Sequence, residues 1–454
     1  MISAVGLALL AQVQAQPGAV DLSFNAALNT NAQVYVVVPQ ANGQIFIGGS
    51  FSNIGGIKRT NVARLNADGT VDATFNPPAA DNGYVTTLAV QPDGKVVVGG
   101  LFTSPSLPFG ANLVRLNTNG TLDPGFDQDF LADAIVNAVA LQGDGRILIG
   151  GAFTTVDGLT RRSVARLYTN GTLDTNFDAC VATGGGNGAT ALSLRNDGKI
   201  FMSGTFTFTS GNARNGVALL GTNGDLDINY ASGSGIDSGK IAYALARRSD
   251  GSVLLGGNFA SYDDTQHNGL VQLTPADGTV DFGFEPGAGI NLSNIYALAL
   301  QPDGKVIAGG DFTAYNGTNR SGIARINPDG GLDLTFDPGN GVNNAIGATA
   351  IQSDGKILVG GRFSSFNGVL RNGLARLKGD PLPFRLTPAG WSALGQFQLM
   401  FTGEDQAHYR IEQSSNLTNW TSMTNITAGS NAMPVVDPVT NSLPKQFYRA
   451  LLLP

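Results

Sequence analysis

An apolar triplet, a glycine pair and a phenylalanine recur seven times along the chain. The copies are IFIGGSF (45–51), VVVGGLF (96–102), ILIGGAF (147–153), IFMSGTF (200–206), VLLGGNF (253–259), VIAGGDF (306–312) and ILVGGRF (357–363). Only the fourth departs, with Ser203 in place of the first glycine. The second glycines, Gly49, Gly100, Gly151, Gly204, Gly257, Gly310 and Gly361, are spaced by 51 or 53 residues. Such a period means one supersecondary unit, repeated, that buries its faces only against its neighbours.

Each unit reads as four short strands. In the sixth, an apolar alternation (294–300) meets the turn Gln301-Pro302-Asp303-Gly304-Lys305, which leads into the strand that ends in the glycine pair. A polar loop then reaches a third strand (322–326), and the turn Asn327-Pro328-Asp329-Gly330 leads into a fourth (332–336). Proline presets the first corner, Asp or Asn suits the second, and glycine takes the left-handed position of a bulged three-residue hairpin. Seven such sheets stacked face to face make a β-propeller, with a linear solenoid as the alternative. The chain ends favour the ring. The fourth-strand signature G-x-h-D-x-x-F appears at 18–24, before the first unit, and the seventh unit stops after 374–377 without one. The expectation is an all-β chain: a seven-bladed β-propeller of four-stranded antiparallel blades closed by an N-terminal strand, followed by a small β-sandwich. Closure would also remove exposed sheet edges.

The motifs Q-P-D-G-K-[IV], G-G-x-F, [IV]-A-R-[LI] and D-G-T-[LV]-D-x-x-F together resemble the bacterial "delta-sixty" repeat β-propeller family, over residues 18–379. The resemblance implies the propeller fold and export, and no established catalytic site. Beyond residues 380–383 both tryptophans appear, Trp391 and Trp420. The run Y-R-I-E-x-S-x-x-L-x-x-W (409–420) resembles the fibronectin-III-like module that ends many secreted bacterial proteins. The expected organisation is a signal peptide at 1–16, a propeller at 17–379, a linker at 380–383 and a sandwich at 384–454. The signal reading rests on the short apolar run at 2–11; an ordinary N-terminal strand is its rival. No later segment is apolar enough to span a membrane.

Composition narrows the chemistry. Glycine fills 62 of 454 positions, and charged residues are only 13%. Two histidines, His267 and His408, and one cysteine, Cys180, exclude an internal disulfide and a Cys/His zinc cage. A net charge of −7 disfavours nucleic acid. No cofactor or metal is expected. The seven aligned aspartates Asp21, Asp72, Asp123, Asp174, Asp227, Asp281 and Asp333 read as partners of a cross-strand arginine and of nearby backbone rather than as a metal ring.

Function should concentrate where units differ, in the loops after each glycine pair. These carry Arg59, Arg161, Arg162, Arg214, Tyr262, Tyr315, Arg320 and Arg371, which form the candidate binding set. The connections between units form a second candidate face. The expected function is that of a non-enzymatic exported binding or scaffold protein, secreted or at the cell surface, whose partner is a protein or a cell-surface glycan. The alternative is a polysaccharide-acting hydrolase or lyase, with Asp263, Asp264 and His267 as its catalytic candidates.

Overall fold

The computed structural model describes residues 16–78, 81–103, 112–179, 181, 183–207, 215–230, 233–291, 293–380, 385–391, 396–402, 408–414, 418–428, 432–437 and 447–452. Every regular element among them is a strand; no helix is long and apolar enough to cross a membrane. Residues 1–15 of the proposed signal segment, Cys180, Arg214 and linker residues 381–383 lie outside the described residues. The chain divides into two compact units, one of them Gly18–Lys378 and the other holding the strands beyond Gly379.

The first unit contains seven three-stranded antiparallel sheets, each with its second strand in the middle. Sheet 1 comprises Gln33–Pro39, Ile45–Ser50 and Val62–Leu65. Sheet 2 comprises Asp81–Val90, Val96–Thr103 and Leu113–Leu116. Sheet 3 is Val136–Leu141, Ile147–Gly151 and Val164–Leu167. Sheet 4 is Thr183–Leu194, Ile200–Thr207 and Val217–Leu220. Sheet 5 is Ala242–Arg247, Val253–Gly257 and Leu270–Leu273. Sheet 6 is Ile295–Leu300, Val306–Gly310 and Ile323–Ile326. Sheet 7 is Ile346–Ile351, Ile357–Gly361 and Leu374–Leu377.

The expected fourth strand is cut to a single antiparallel bridge: Leu65 to Val71, Leu116 to Leu122, and likewise in sheets 3 to 6. The following aspartate turns the chain out of the ladder. Asp72 accepts the Thr74 N–H at 2.9 Å on its carboxylate, and all six equivalents accept the N–H two residues on at 2.9–3.1 Å. A local side-chain bond thus competes with the sheet and wins. For sheet 7 the bridging residue is Val20, opposite Leu377, with the Asp21 N–H on the Arg376 carbonyl at 2.8 Å.

The second oxygen of five of these aspartates receives arginine Nε: Arg64 on Asp72, Arg115 on Asp123, Arg166 on Asp174, Arg325 on Asp333 and Arg376 on Asp21, at 2.7–2.8 Å. Where arginine is missing, Gln272 serves Asp281 and Lys199 serves Asp227, both at 2.7 Å. Each guanidinium also lies 4.7–5.1 Å from the ring centroid of its own turn's phenylalanine. Nη1 then reaches the next unit's turn, as from Arg64 to the Thr118 carbonyl (2.9 Å) and from Arg376 to the Ala67 carbonyl (2.6 Å). With Arg325 fully buried and Arg376 only 6% exposed, these are interior ties rather than surface pairs.

Seven apolar clusters hold the sheets, each shared by two neighbours. One joins Leu358 and Leu374 of sheet 7 to Val34 and Ile47 of sheet 1. The first strands touch in succession, and that of sheet 7 touches that of sheet 1. The glycine pair serves this packing in two ways. A Cβ on Gly48 would stand 2.5 Å from Val85 of sheet 2, and one on Gly49 would stand 2.0 Å from the Gln33 carbonyl of its own sheet.

The second unit holds two three-stranded antiparallel sheets. One is Arg385–Trp391, Phe397–Thr402 and Met433–Val436; the other is Thr421–Thr427, His408–Ser414 and Phe447–Leu452. They share a core of Leu399, Phe401, Tyr409, Ile411, Val435 and Ala450. Tyr409 is buried there, and Trp420 carries the Arg449 guanidinium 4.2 Å from its ring centroid.

Candidate binding site at the loop end of the sheets

The loops after the glycine pairs and the connections between units lie at the same end of the sheets, so the two expected faces are one. In sheets 1, 3, 5, 6 and 7 the loop forms a two-residue hairpin, such as Ser261–Tyr262 with Thr265–Gln266. The inter-unit connection bridges onto that hairpin: Leu28 to Ile54, Ala132 to Val156, Ile236 to Tyr262, Ile290 to Tyr315 and Val342 to Phe366.

That pairing buries the two loop tyrosines. Tyr262 and Tyr315 occupy the place of Ile54, Val156 and Phe366, are fully buried, and belong to the core; the Tyr315 hydroxyl donates to the Gly330 carbonyl at 2.7 Å. They offer no ring face to a partner. Arg59, Arg161 and Arg371 are likewise buried, with Arg320 half-buried. In each, Nη1 donates to the preceding carbonyl, of Lys58, Thr160, Leu370 and Asn319, at 2.7–2.9 Å. These guanidiniums brace the hairpin rather than project from it. Among the described candidates only Arg162 is an exposed cation.

His267 stands where those arginines stand. Its N–H bonds the Ala260 carbonyl at 2.8 Å, as that of Arg161 bonds Thr154 at 2.9 Å, and burial pulls its imidazole down. Asp263 and Asp264 are turn residues with φ of 46° and 62°. The Asp263 carboxylate accepts the Gly235 N–H at 2.7 Å, as Asp157 accepts Leu131 and Asn367 accepts Asn340. Asp263 and His267 therefore occupy repeated scaffold positions, whereas Asp264 stands where the other hairpins have Gly56, Gly158, Gly317 and Gly368.

The structure assembles a different group of residues. In each first strand the register shifts beside the second glycine, leaving one bulged residue: Tyr35, Thr86, Asn137, Thr190, Tyr243, Tyr296 and Gly347 in sheets 1 to 7. Bulges re-aim side chains. Three consecutive ones bond the next sheet's first strand: Thr86 to the Val136 carbonyl (2.6 Å), Asn137 to Ala189 (3.4 Å) and Thr190 to Ala242 (2.6 Å). Sheets 5, 6, 7 and 1 differ. Tyr243 and Tyr296 meet edge to face at 5.1 Å, as do Tyr35 and Tyr84 at 5.6 Å. Between them Gly347 is open, since a Cβ there would meet no atom within 4 Å.

The residue after each glycine pair completes this arc. Asp311 accepts the Asn294 N–H and side-chain amide, both at 2.8 Å, and the Tyr296 hydroxyl at 2.9 Å. Burial pushes the Tyr296 phenol up and Asp311 pushes it the same way, so it stays protonated and donating. Arg362 is exposed, with its guanidinium 5.8 Å from the Tyr35 ring centroid. Burial also raises the Tyr35 phenol, and the nearby Arg362 lowers it by less, so it stays above its ordinary value. A cavity of about 250 Å³ opens beside Asn294, between sheets 5 and 6. No group of three or more His, Cys, Asp or Glu that could hold a metal occurs among the described residues.

A signal for this arc is present in the sequence. Tyr35, Tyr243 and Tyr296 each stand fourteen residues before their second glycine, and the x of G-G-x-F differs in every unit.

No curated protein sequence is significantly similar to this chain. Among solved structures, a structural-genomics target named as a gluconolactonase is 12% identical, over 78% of this chain and 91% of that one, at a TM-score of 0.34. The periplasmic gluconolactonase of Pseudomonas aeruginosa is 13% identical, over 75% and 98%, at 0.31. A glycoside hydrolase is 13% identical, over 95% and 96%, at 0.25. Likenesses this distant bear on neither activity nor substrate. The family model described as "domain of unknown function (DUF5122) beta-propeller" matches residues 40–75, 91–126, 142–177, 195–227, 248–284, 301–336 and 352–380. With seven matched repeats spanning more than half its length, the chain belongs to the DUF5122 β-propeller family.

Proposed function

We propose that the chain is an exported, non-enzymatic binding protein that holds a glycan at the loop end of its seven sheets. One observation carries this reading. On a scaffold that repeats almost residue for residue, the bulge and post-glycine positions of sheets 5, 6, 7 and 1 gather Tyr243, Tyr296, Asp311, Arg362 and Tyr35 around the open place at Gly347. Tyrosine rings offer apolar faces to sugar C–H groups, while carboxylate and guanidinium bond hydroxyls. The arc has one carboxylate, with both oxygens engaged, whereas glycosidic hydrolysis uses two carboxyl groups about 5–10 Å apart. Binding is what this geometry supports.

In the same reading the sheets form a ring clasped by residues 18–24, with the single-bridge segments as reduced fourth strands. The shared cluster of sheets 7 and 1 supports it. Residues 1–16 are an export signal that places the chain outside the cytoplasm or at the cell surface. The two sheets beyond residue 384 form a fibronectin-III-like sandwich that acts as spacer, anchor or auxiliary module. The test is a glycan array probed with the full-length chain and with Arg362→Ala. The expected result is a retained subset of glycans whose signal falls at least tenfold in the variant. Equal retention by both proteins, or retention of proteins alone from a cell-surface extract, would overturn the reading.

A further inference from the structure

We infer that the cavity between sheets 5 and 6 is a subsite for a carboxylated sugar, a uronate residue of an acidic glycan. The inference rests on the glycan reading above and names its chemical class. The cavity, about 250 Å³, is the size of a single sugar. That is room for several waters, enough to admit one pyranose ring with its substituents.

Its lining is a donor set with one cation and no carboxylate, in a chain whose net charge is −7. Lys240 is exposed and makes no ion pair among the described residues. The Asp237 carboxylate, which feels its charge, already accepts the Ala260 N–H (2.6 Å), the Ser261 N–H (3.0 Å) and the Ser261 hydroxyl. Asn258 is fixed by the Ile241 N–H on its Oδ1 at 2.6 Å, which leaves its amide N–H groups to a ligand. Asn294 is fixed in turn by its Nδ2 bond to Asp311, which leaves its Oδ1 to accept from a sugar hydroxyl. Phe259 and Ile290 supply an apolar wall. An ammonium and a primary amide together suit a carboxylate, and Asn294 joins the pocket to the Tyr296–Asp311 end of the arc.

The experiment is calorimetric titration of the full-length chain with tetragalacturonate and with its methyl ester, the same chain without charge. Wild type should bind the acid at least tenfold more tightly, a difference of about 1.4 kcal/mol. Lys240→Gln should bring the two ligands within twofold, Lys240→Arg should keep the preference, and higher salt should erode it. Asn258→Phe, which fills the cavity, should abolish binding of both while circular dichroism stays unchanged. Equal binding of acid and ester by wild type, or a preference that survives Lys240→Gln, overturns the uronate subsite and leaves the glycan reading standing. Binding of neither tetramer, with array glycans still lost in Arg362→Ala, also overturns it. Loss of all glycan binding by wild type sinks both.

Discussion

Replacing Arg376 by alanine probes the join between the two ends of the repeat array. Arg376 and Asp21 are only 6% and 5% exposed. The substitution removes the 2.8 Å ion pair, the bond to the Ala67 carbonyl and the guanidinium 4.7 Å from the Phe24 ring centroid. It leaves the Asp21 carboxylate buried with only its Ser23 bonds. Breaking one side of a buried pair costs about 3–5 kcal/mol, against about 0–1 kcal/mol for a surface pair. Arg115→Ala removes the same kinds of contact inside sheet 2 but leaves Asp123 its Lys95 pair at 2.9 Å, so it should cost less than Arg376→Ala while staying above about 1 kcal/mol. The assay is urea denaturation followed by tyrosine fluorescence and circular dichroism, with both variants beside wild type. A loss below about 1 kcal/mol for Arg376→Ala, with a larger loss for Arg115→Ala, would refute the reasoning: residues 18–24 would then not be part of the packed structure in solution.

Three further outcomes follow from the same geometry. Burial pushes the Asp123 carboxyl up, but Lys95, the Gly125 N–H and Arg115 outweigh it and hold it at about 2. Its folded value lies below its unfolded one, so its contribution, on the order of 2 kcal/mol, is present above pH ~4 and fades as pH falls towards 2. Asp123→Asn should therefore destabilise at pH 7 and be nearly neutral at pH 2, as read by denaturation at the two pH values. Gly49→Ala should be among the most damaging single changes, because its Cβ would meet a carbonyl at 2.0 Å; Gly347→Ala, with no atom within 4 Å, should stay within about 0.5 kcal/mol of wild type in the same assay. Tyr315→Phe should cost about 1–3 kcal/mol, because the buried Gly330 carbonyl loses its 2.7 Å donor, and thermal unfolding would show it.

Much of the fold is legible because the unit is periodic. The turns, the glycine pairs and the stray signature at 18–24 are local patterns, and seven copies make each unmistakable. The bond from each aspartate to backbone two residues on follows from local chemistry, although it also shortens the fourth strand in a way that the apolar pattern hides. The site was less legible, for reasons of register. That Tyr262 and Tyr315 are core could be read by aligning them with Ile54, Val156 and Phe366, which are apolar at the same place. Arginine in a polar loop looks solvated until the hairpin and the connection beneath it are seen to pair. The arc depends on a bulge, and a bulge turns a side chain that simple alternation would assign elsewhere. Tyr35, Tyr243 and Tyr296 thus read as ordinary strand residues, although their common distance from the glycine pair marks them.

The claim that function sits on the arc is tested most directly by hydrogen–deuterium exchange of the full-length chain with and without a glycan retained on the array. Protection is predicted at the starts of the first strands and just after the glycine pairs of sheets 5, 6, 7 and 1, around Tyr296, Asp311, Gly347 and Arg362. Protection at the opposite ends of the sheets, in turns such as 301–305, or protection confined to residues beyond 384, would contradict it.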